Sequence, residues 1–545
     1  MKLNYRMFRE IARKERQIME LDWVNIIDEK SAELIETADY LWDHAEPAFL
    51  EFRSAERLCT VLAREGFTVT RGLAGIRTAF SASYGSGKPV IGILGEFDAL
   101  EKLGQKAGMT EPCPDGQSYG HGCGHNLLGT AALGAAIAAK HYLQTSGHSG
   151  TVVYFGCPAE EGGSGKTFMA RDGVFDALDA AVCWHPDAKT GIRGRTSLAN
   201  IQMLYHFDGV AAHASIQPEL GRSALDAVEL MNVGANYLRE HMPMDARVHY
   251  AVTDSGGDCP NVVQAHAEVL YLIRARTNDQ ARELAGRVTD IARGAALMTQ
   301  TKMTATLTKA CSNTILNHTL ENLAYNVMQR IALPEITEAD EVYARELTRK
   351  ALVGMPNANE LHPIFRGLEP YTGQTLTAYG STDGGDVSWI CPTVQLMAAT
   401  HALGTPNHSW QQTTQGKQPL AHKMMLYMAK ALGATAAELI ANPQILAQAK
   451  EEMLTQTKRA EKQNAGIRYD HKLIAIGYGV VQFQRKDCTL NTSYRMAKTE
   501  ETGYTNGCYG NDAAFVDISD DGNEVRFRQA GGDGCLRQCS GRSRV

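Results

Sequence analysis

The sequence predicts an α/β fold: a mostly parallel sheet with flanking helices, interrupted by a smaller β-α-β-β-α-β unit of ferredoxin-like order. Three observations carry this. Apolar runs at 90–94, 151–155, 180–183 and 393–399 are continuous rather than alternating, as in strands buried on both faces, and each runs out into polar residues. Between roughly 196 and 312 the pattern changes to strand, helix, two strands, helix and strand. The stretch Gly120-His121-Gly122-Cys123-Gly124-His125-Asn126 packs a thiol and two imidazoles among glycines just ahead of an Ala-rich apolar segment, 127–139.

In chain order, residues 23–46 place Ile26, Ile27, Leu34, Ile35, Ala38 and Leu41 at near-helical spacing, and 54–65 carries a second helical pattern. Both read as scaffold. The turn Gly85-Ser86-Gly87-Lys88 leads into the first buried strand, which ends in Gly95-Glu96-Phe97-Asp98 and so sets two carboxylates at its carboxyl end. Residues 127–139 read as a buried helix ended by Lys140. The next runs end at Cys157-Pro158-Ala159-Glu160-Glu161-Gly162-Gly163 and at Trp184-His185-Pro186-Asp187. The last passes His401 and reaches Gly404-Thr405-Pro406-Asn407-His408. In open α/β sheets, sites lie beyond the carboxyl ends of the strands, where all these polar groups fall.

Inside the insert, 200–207, 247–253, 266–276 and 302–309 read as strands, and 223–242 and 278–300 as helices. A Gly-rich loop, 379–386, and a long helical stretch, 419–439, follow. The expected division is 1–195 and 313–450 for one catalytic domain, 196–312 for the insert, and 451–545 for a terminal helix and peripheral tail. The tail holds Cys488, Cys508, Cys535 and Cys539, of which only the last two are close enough in sequence to act as a ligand pair.

A chain of 545 residues calls for two domains or more, with room to bury a catalytic site. The net charge of -7 leaves no broad basic field, which argues against nucleic acid as a partner. The charged first residues have no signal-peptide core, and no apolar run approaches the length of a membrane span. Eight cysteines scattered singly from Cys59 to Cys391 fit a reducing compartment, so a cytoplasmic location is expected.

The polar clusters offer borderline-soft metal donors. Cys-x-His alone is half a site, and a cysteine at the foot of an apolar helix is commonly a small hydrophobe. With Glu161, His185 and His408, the pair Cys123 and His125 makes one thiolate, one carboxylate and three imidazoles, enough for two divalent ions if Cys123 or a water bridges them. Glu160 beside Glu161 is then free to act as general base. His408, in the loop past its strand, is preferred to His401, which reads as structural. His121 and Asp98 are expected to orient ligands by hydrogen bonds.

The motifs GHGCGHN, PAEEGG, CWHPD, GVAAHAS and GTPNHSW, in this order and around a ferredoxin-like insert, resemble the M20 family of metallopeptidases and amidohydrolases, in the branch that uses a Cys-x-His pair. The resemblance covers roughly 20–450. It implies a two-metal exopeptidase-like catalytic domain whose insert serves as lid and dimerisation domain. It implies metal ligands at Cys123, His125, Glu161, His185 and His408, Glu160 as general base, and zinc or manganese as the two ions. By the same resemblance His213 reaches a partner subunit's site to steady the oxyanion, Asn261 and Arg274 grip a substrate carboxylate, and a homodimer is expected, with a homologous companion subunit left open. The implied reaction is hydrolysis of an N-aroyl or N-acyl amino acid amide, p-aminobenzoyl-glutamate first among them. Dipeptides and auxin-type conjugates are the alternative substrates, and a non-catalytic metal-holding subunit is the alternative role. One departure is Asn126, where many members of the branch carry Asp.

Overall fold

The computed structural model describes residues 21–355 and 362–463, together with the backbone of three short strands, Ala514–Ile518, Val525–Ala530 and Leu536–Gln538. The chain forms two compact units, Met1–Ile476 and Gly477–Val545. In the second, the three short strands pair antiparallel in chain order. The four tail cysteines and the first twenty residues, with the readings made on them, lie outside the described residues.

Six strands of the larger sheet precede the insert: β1 (Thr68–Arg71), β2 (Phe80–Ser86), β3 (Val90–Glu96), β4 (Gly150–Cys157), β5 (Ala180–Asp187) and β6 (Gly191–Ile192). The insert supplies β7 (Ala199–Asp208), β8 (Arg247–Asp254), β9 (His266–Ala275) and β10 (Lys302–Cys311), and β11 (Thr393–Ala399) follows. The larger sheet has the order β1-β2-β4-β3-β5-β11-β6. Its four central strands, β4, β3, β5 and β11, are mutually parallel, and they are the four apolar runs of the sequence. Their carboxyl ends therefore lie along one edge.

Two long helices cover one face of that sheet. Every residue from 125 to 139 of α1 (His125–Ser146) is buried. Two glycines let the second long helix lie against it: a methyl at Gly134 would come 2.8 Å from the Ala429 Cβ, and one at Gly433 2.7 Å from the Ala138 Cβ. Helices approach this closely only where small residues face each other, so each glycine's lost side chain is offset by close packing. Trp184 of β5 joins the same core, its Nε1 donating to the Leu128 carbonyl at 3.0 Å.

Two expectations need correction. Helix α1 does not stop at Lys140 but runs to Ser146, where Gly147 caps it at φ +73°. The Lys140 amine instead donates to the Glu65 carbonyl. The lysine thus marks where the helix leaves the core, not where it ends. The second correction concerns length of apolar sequence: the partner helix, Pro419–Ala441, is long and apolar enough to cross a membrane, and here 78% of its most apolar window is buried inside the protein.

The insert forms its own antiparallel sheet, in the order β8-β9-β7-β10. Helices α2 (Ala224–Leu238) and α3 (Asn278–Thr299) pack on one face, giving the β-α-β-β-α-β order the sequence predicts. Val248, Val269, Tyr271 and Ile273 fill that interface, while the alternate residues of the same strands stay outside it.

Candidate metal centre

The site gathers at the carboxyl edge of the large sheet. Gly124, at φ +75°, turns the chain sharply enough that Cys123 and His125 flank the start of α1, and a Cβ there would strike the Pro186 ring at 2.9 Å. The His125 ring is fully buried, and its Nδ1 donates to Asp98 Oδ1 at 2.9 Å. A carboxylate only accepts, so Nδ1 carries a proton and Nε2 is the nitrogen left to face the cluster. That Nε2 makes no hydrogen bond, and lies 3.3 Å from Glu96 Oε2 and 4.0 Å from Glu161 Oε1. Asp98 also accepts from the Glu161 backbone N–H at 3.0 Å, so one carboxylate fixes a ring and a turn together.

His185 repeats this logic. Its Nδ1 donates to the Pro186 carbonyl at 2.6 Å, which points Nε2 at Cys123 Sγ, 3.3 Å away. His408 holds a left-handed backbone, φ 55°, with its N–H donating to the Gly122 carbonyl, and its Nε2 lies 3.3 Å from Glu161 Oε1. The donor atoms of Cys123, His125 and His185 all fall within 4.8 Å of one another, as do those of Cys123, Glu161 and His408. Cys123 is common to both groups. A third such group joins Glu96, His125 and Glu160.

Electrostatics mark the cluster as short of positive charge. Burial pushes the Cys123 thiol up, and the Glu161 carboxylate adds to it. Burial would lower His125, but the Cys123 sulfur and the Asp98 carboxylate outweigh it and hold the ring well above its usual value. Cys123 and Glu161 together pull His408 up to about 10. Burial, then Glu96 and Glu161, raise the Glu160 carboxyl well above the ordinary range. Burial and the nearby Arg193 drive His185 well below it. The lone pairs at His125 Nε2 and Glu161 Oε1, both buried without a hydrogen-bond partner, fit cation ligands. With a thiolate, imidazoles and a carboxylate as the donor set, a divalent ion of the zinc type fits these residues.

Sequence reasoning passes over several residues here. Lys166 is 1% exposed, and its Nζ donates to Glu96 Oε1 at 2.7 Å and to Asp383 Oδ1 at 2.5 Å, while its backbone N–H donates to Asp383 Oδ2. A buried charge persists only when paired and hydrogen-bonded, and this one is. Glu51, also buried, accepts from the Ala159 N–H at 2.9 Å and so holds that residue in its left-handed conformation, φ 60°, immediately before Glu160. Glu96 is visible in the sequence as the first of the two carboxylates at the end of its strand, two residues before Asp98.

The other expected residues fall elsewhere. His121 is buried, its Nε2 donating to the Leu41 carbonyl at 3.0 Å rather than to any candidate ligand. His401 is buried against Thr400, outside all three groups. Arg274, on β9, donates to Ser381 Oγ at 2.6 Å in the Gly-rich loop. His213 and Asn261 are exposed neighbours: Ala214 N–H donates to the Asn261 carbonyl at 2.9 Å, and His213 bridges to Val262. The His213 Nδ1 accepts from the N–H groups of Ser215 and Ile216, and among the described residues no hydrogen bond or ion pair joins His213 or Asn261 to the cluster.

Comparison with known proteins follows the same lines. Residues 92–345 match peptidase family M20/M25/M40. The chain is 47% identical over 437 residues to a subunit of the p-aminobenzoyl-glutamate hydrolase of Escherichia coli (strain K12), covering 76% of this chain and 90% of that one. It is 27% identical to the Xaa-Arg dipeptidase of Mus musculus, over 77% and 88% of the two chains. Among solved structures, an aminobenzoyl-glutamate utilization protein from Klebsiella pneumoniae shares the fold, with TM-score 0.54 and 17% identity over 77% of this chain and 98% of that one. The chain belongs to peptidase family M20/M25/M40, as a metal-dependent amidohydrolase.

Proposed function

We propose that the protein hydrolyses the amide bond of N-aroyl or N-acyl amino acids, with p-aminobenzoyl-glutamate, split into p-aminobenzoate and glutamate, as its substrate in the breakdown of folate fragments. The observation that carries this is Cys123 lying between two sets of ligand atoms, one with His125 and His185 and one with Glu161 and His408, beside the Glu160 carboxyl. The 47% identical relative named for that substrate supports the choice of it.

Cys123, His125, Glu161, His185 and His408 would hold two divalent ions, zinc or manganese, which when bound polarise the amide carbonyl and make water acidic enough to react at neutral pH. Glu160 takes the proton from that water as its oxygen adds to the carbonyl carbon, then delivers it to the amide nitrogen as the C–N bond breaks. Burial and the neighbouring Glu96 and Glu161 raise its pKa, which makes its carboxylate a stronger base than an ordinary exposed one. Asp98 keeps His125 in the tautomer that presents Nε2. His213 of a second subunit steadies the oxyanion, and Arg274 with Asn261 grips the carboxylate of the departing amino acid.

Divisions at 195/196, 312/313 and 450/451, with the insert as lid and dimerisation domain, belong to this reading, as does a cytoplasmic, homodimeric enzyme. The word "subunit" in the relative's name supports a companion chain as well. A second reading, dipeptide hydrolysis, draws on the Xaa-Arg dipeptidase relative. Turnover of p-aminobenzoyl-glutamate measured beside a dipeptide panel separates the two. Faster cleavage of dipeptides overturns the first.

A further inference from the structure

The face of the inserted sheet opposite its helices carries two arginines in register. Arg247 of β8 pairs with Arg274 of β9, which pairs on its other side with Asn200 of β7. The neighbouring Val248 and Ile273 point into the helical interface, so Arg247, Arg274 and Asn200 share the open face. That face is turned toward the metal centre: in the next row Lys309 reaches the Glu161 carbonyl at 3.4 Å, and Arg274 is bound to Ser381. Two residues before Ser381, the Tyr379 ring lies 5.3 Å beneath the Arg247 guanidinium, so one loop backs both side chains.

Two like charges directly opposite on neighbouring strands destabilise a sheet unless an anion lies between them. Among the described residues neither guanidinium is ion-paired with a carboxylate. Arg247 Nη1 donates to the carbonyls of Met244 and Ala246, which ties down one end of its fork. In the same row Asn200 is 4% exposed, and its Oδ1 has no hydrogen-bond partner. The unpartnered amide oxygen only accepts, so it is the two unneutralised guanidiniums of this row that call for an anion.

We infer that Arg247 and Arg274 form a two-guanidinium clamp that selects an amino-acid moiety bearing two carboxylates, Arg274 taking the main-chain carboxylate and Arg247 that of the side chain. This rests on the amidohydrolase reading above and narrows its substrate class. Directly opposed Cβ atoms on paired strands are on the order of 5 Å apart, a span that suits two carboxylates separated by three carbons. The same clamp repels a lysine or arginine side chain at that place.

The test is kcat/KM for p-aminobenzoyl-glutamate, p-aminobenzoyl-glutamine and p-aminobenzoyl-lysine, measured on the metal-loaded protein and on R247Q and R247E. Wild type should prefer glutamate to glutamine, and R247Q should shrink that ratio by roughly tenfold to a hundredfold, through KM more than kcat, as expected for loss of a charge-assisted contact made equally in ground and transition states. R247E should raise lysine relative to glutamate, a gain that misfolding cannot mimic. A wild type without glutamate preference, or a ratio unmoved in R247Q and R247E, overturns the clamp and leaves the amidohydrolase reading standing. Failure of wild type to cleave any of the three overturns both.

Discussion

The carboxyl edge of the large sheet and the outer loops of the inserted sheet use the same residue types in opposite ways. His125 and His185 are held from behind, one by Asp98 and one by the Pro186 carbonyl, so that each turns its Nε2 toward the ligand cluster. His213 stands in solvent, and its Nδ1 is occupied by the N–H groups of its own turn. The first pair is finished within one chain. The second region is ordered as a loop but, among the described residues, has no counterpart in its own chain to act on, which is what a residue working in a neighbour's site requires. What the ring faces and what backs it, not residue type, separate these ligands from the residue of the outer loop.

The following experiments break or sharpen that contrast. Replacing the base should cost most: Glu160→Gln is expected to lower kcat by about 10²–10⁴ while metal content, read by elemental analysis, persists. Unaltered turnover would remove Glu160 from its role. At the exposed loop, His213→Ala should lower kcat on the order of 10²–10³ with little change in thermal stability. Mixing that variant with Glu160→Gln should restore activity, since mixed dimers contain one site with both residues intact. No recovery on mixing would place His213 in its own subunit's site or in none.

Removing the support behind a ligand should cost less than removing the base. Asp98→Asn is expected to weaken metal binding by about 10–100-fold, measured by competition with a chelating dye. The smallest effect concerns protons. In the metal-free protein burial pushes the Cys123 thiol up, and the Cys123 and Glu161 side chains pull His408 up to about 10, so the cluster holds protons where an ion would bind. Metal must displace them, so affinity should rise with pH through the neutral range, by about tenfold per unit for each proton released. Calorimetric titration in buffers of different ionisation enthalpy counts them, and a count of zero would contradict this electrostatic picture. Chelation at neutral pH should abolish hydrolysis, and restoring the metal should return it.

Much of this molecule can be read directly from its residues. The four parallel strands are continuous apolar runs because both their faces are covered, and the polar residues after each run mark the edge where a site forms. The insert's six elements announce themselves by switching between periods of two and 3.6 residues. Helix ends are less legible. Lys140 resembles a stop because charge usually marks the end of a buried stretch, yet the lysine finds a carbonyl to bind and the helix continues to Gly147.

What the sequence alone determined was local: which segments pleat, which coil, and which glycine turns bring a thiol and an imidazole to the foot of a helix, because backbone sterics and hydrophobic periodicity act over a few residues. Only the tertiary structure decided which charges meet. Lys166 reads as an ordinary surface lysine until Asp383, 217 residues away, and Glu96 close around it. Arg247 reads the same way until its register opposite Arg274 is known. A charge takes its meaning from the partners left to it once water is excluded, and those partners are set by the fold, not by their neighbours along the chain.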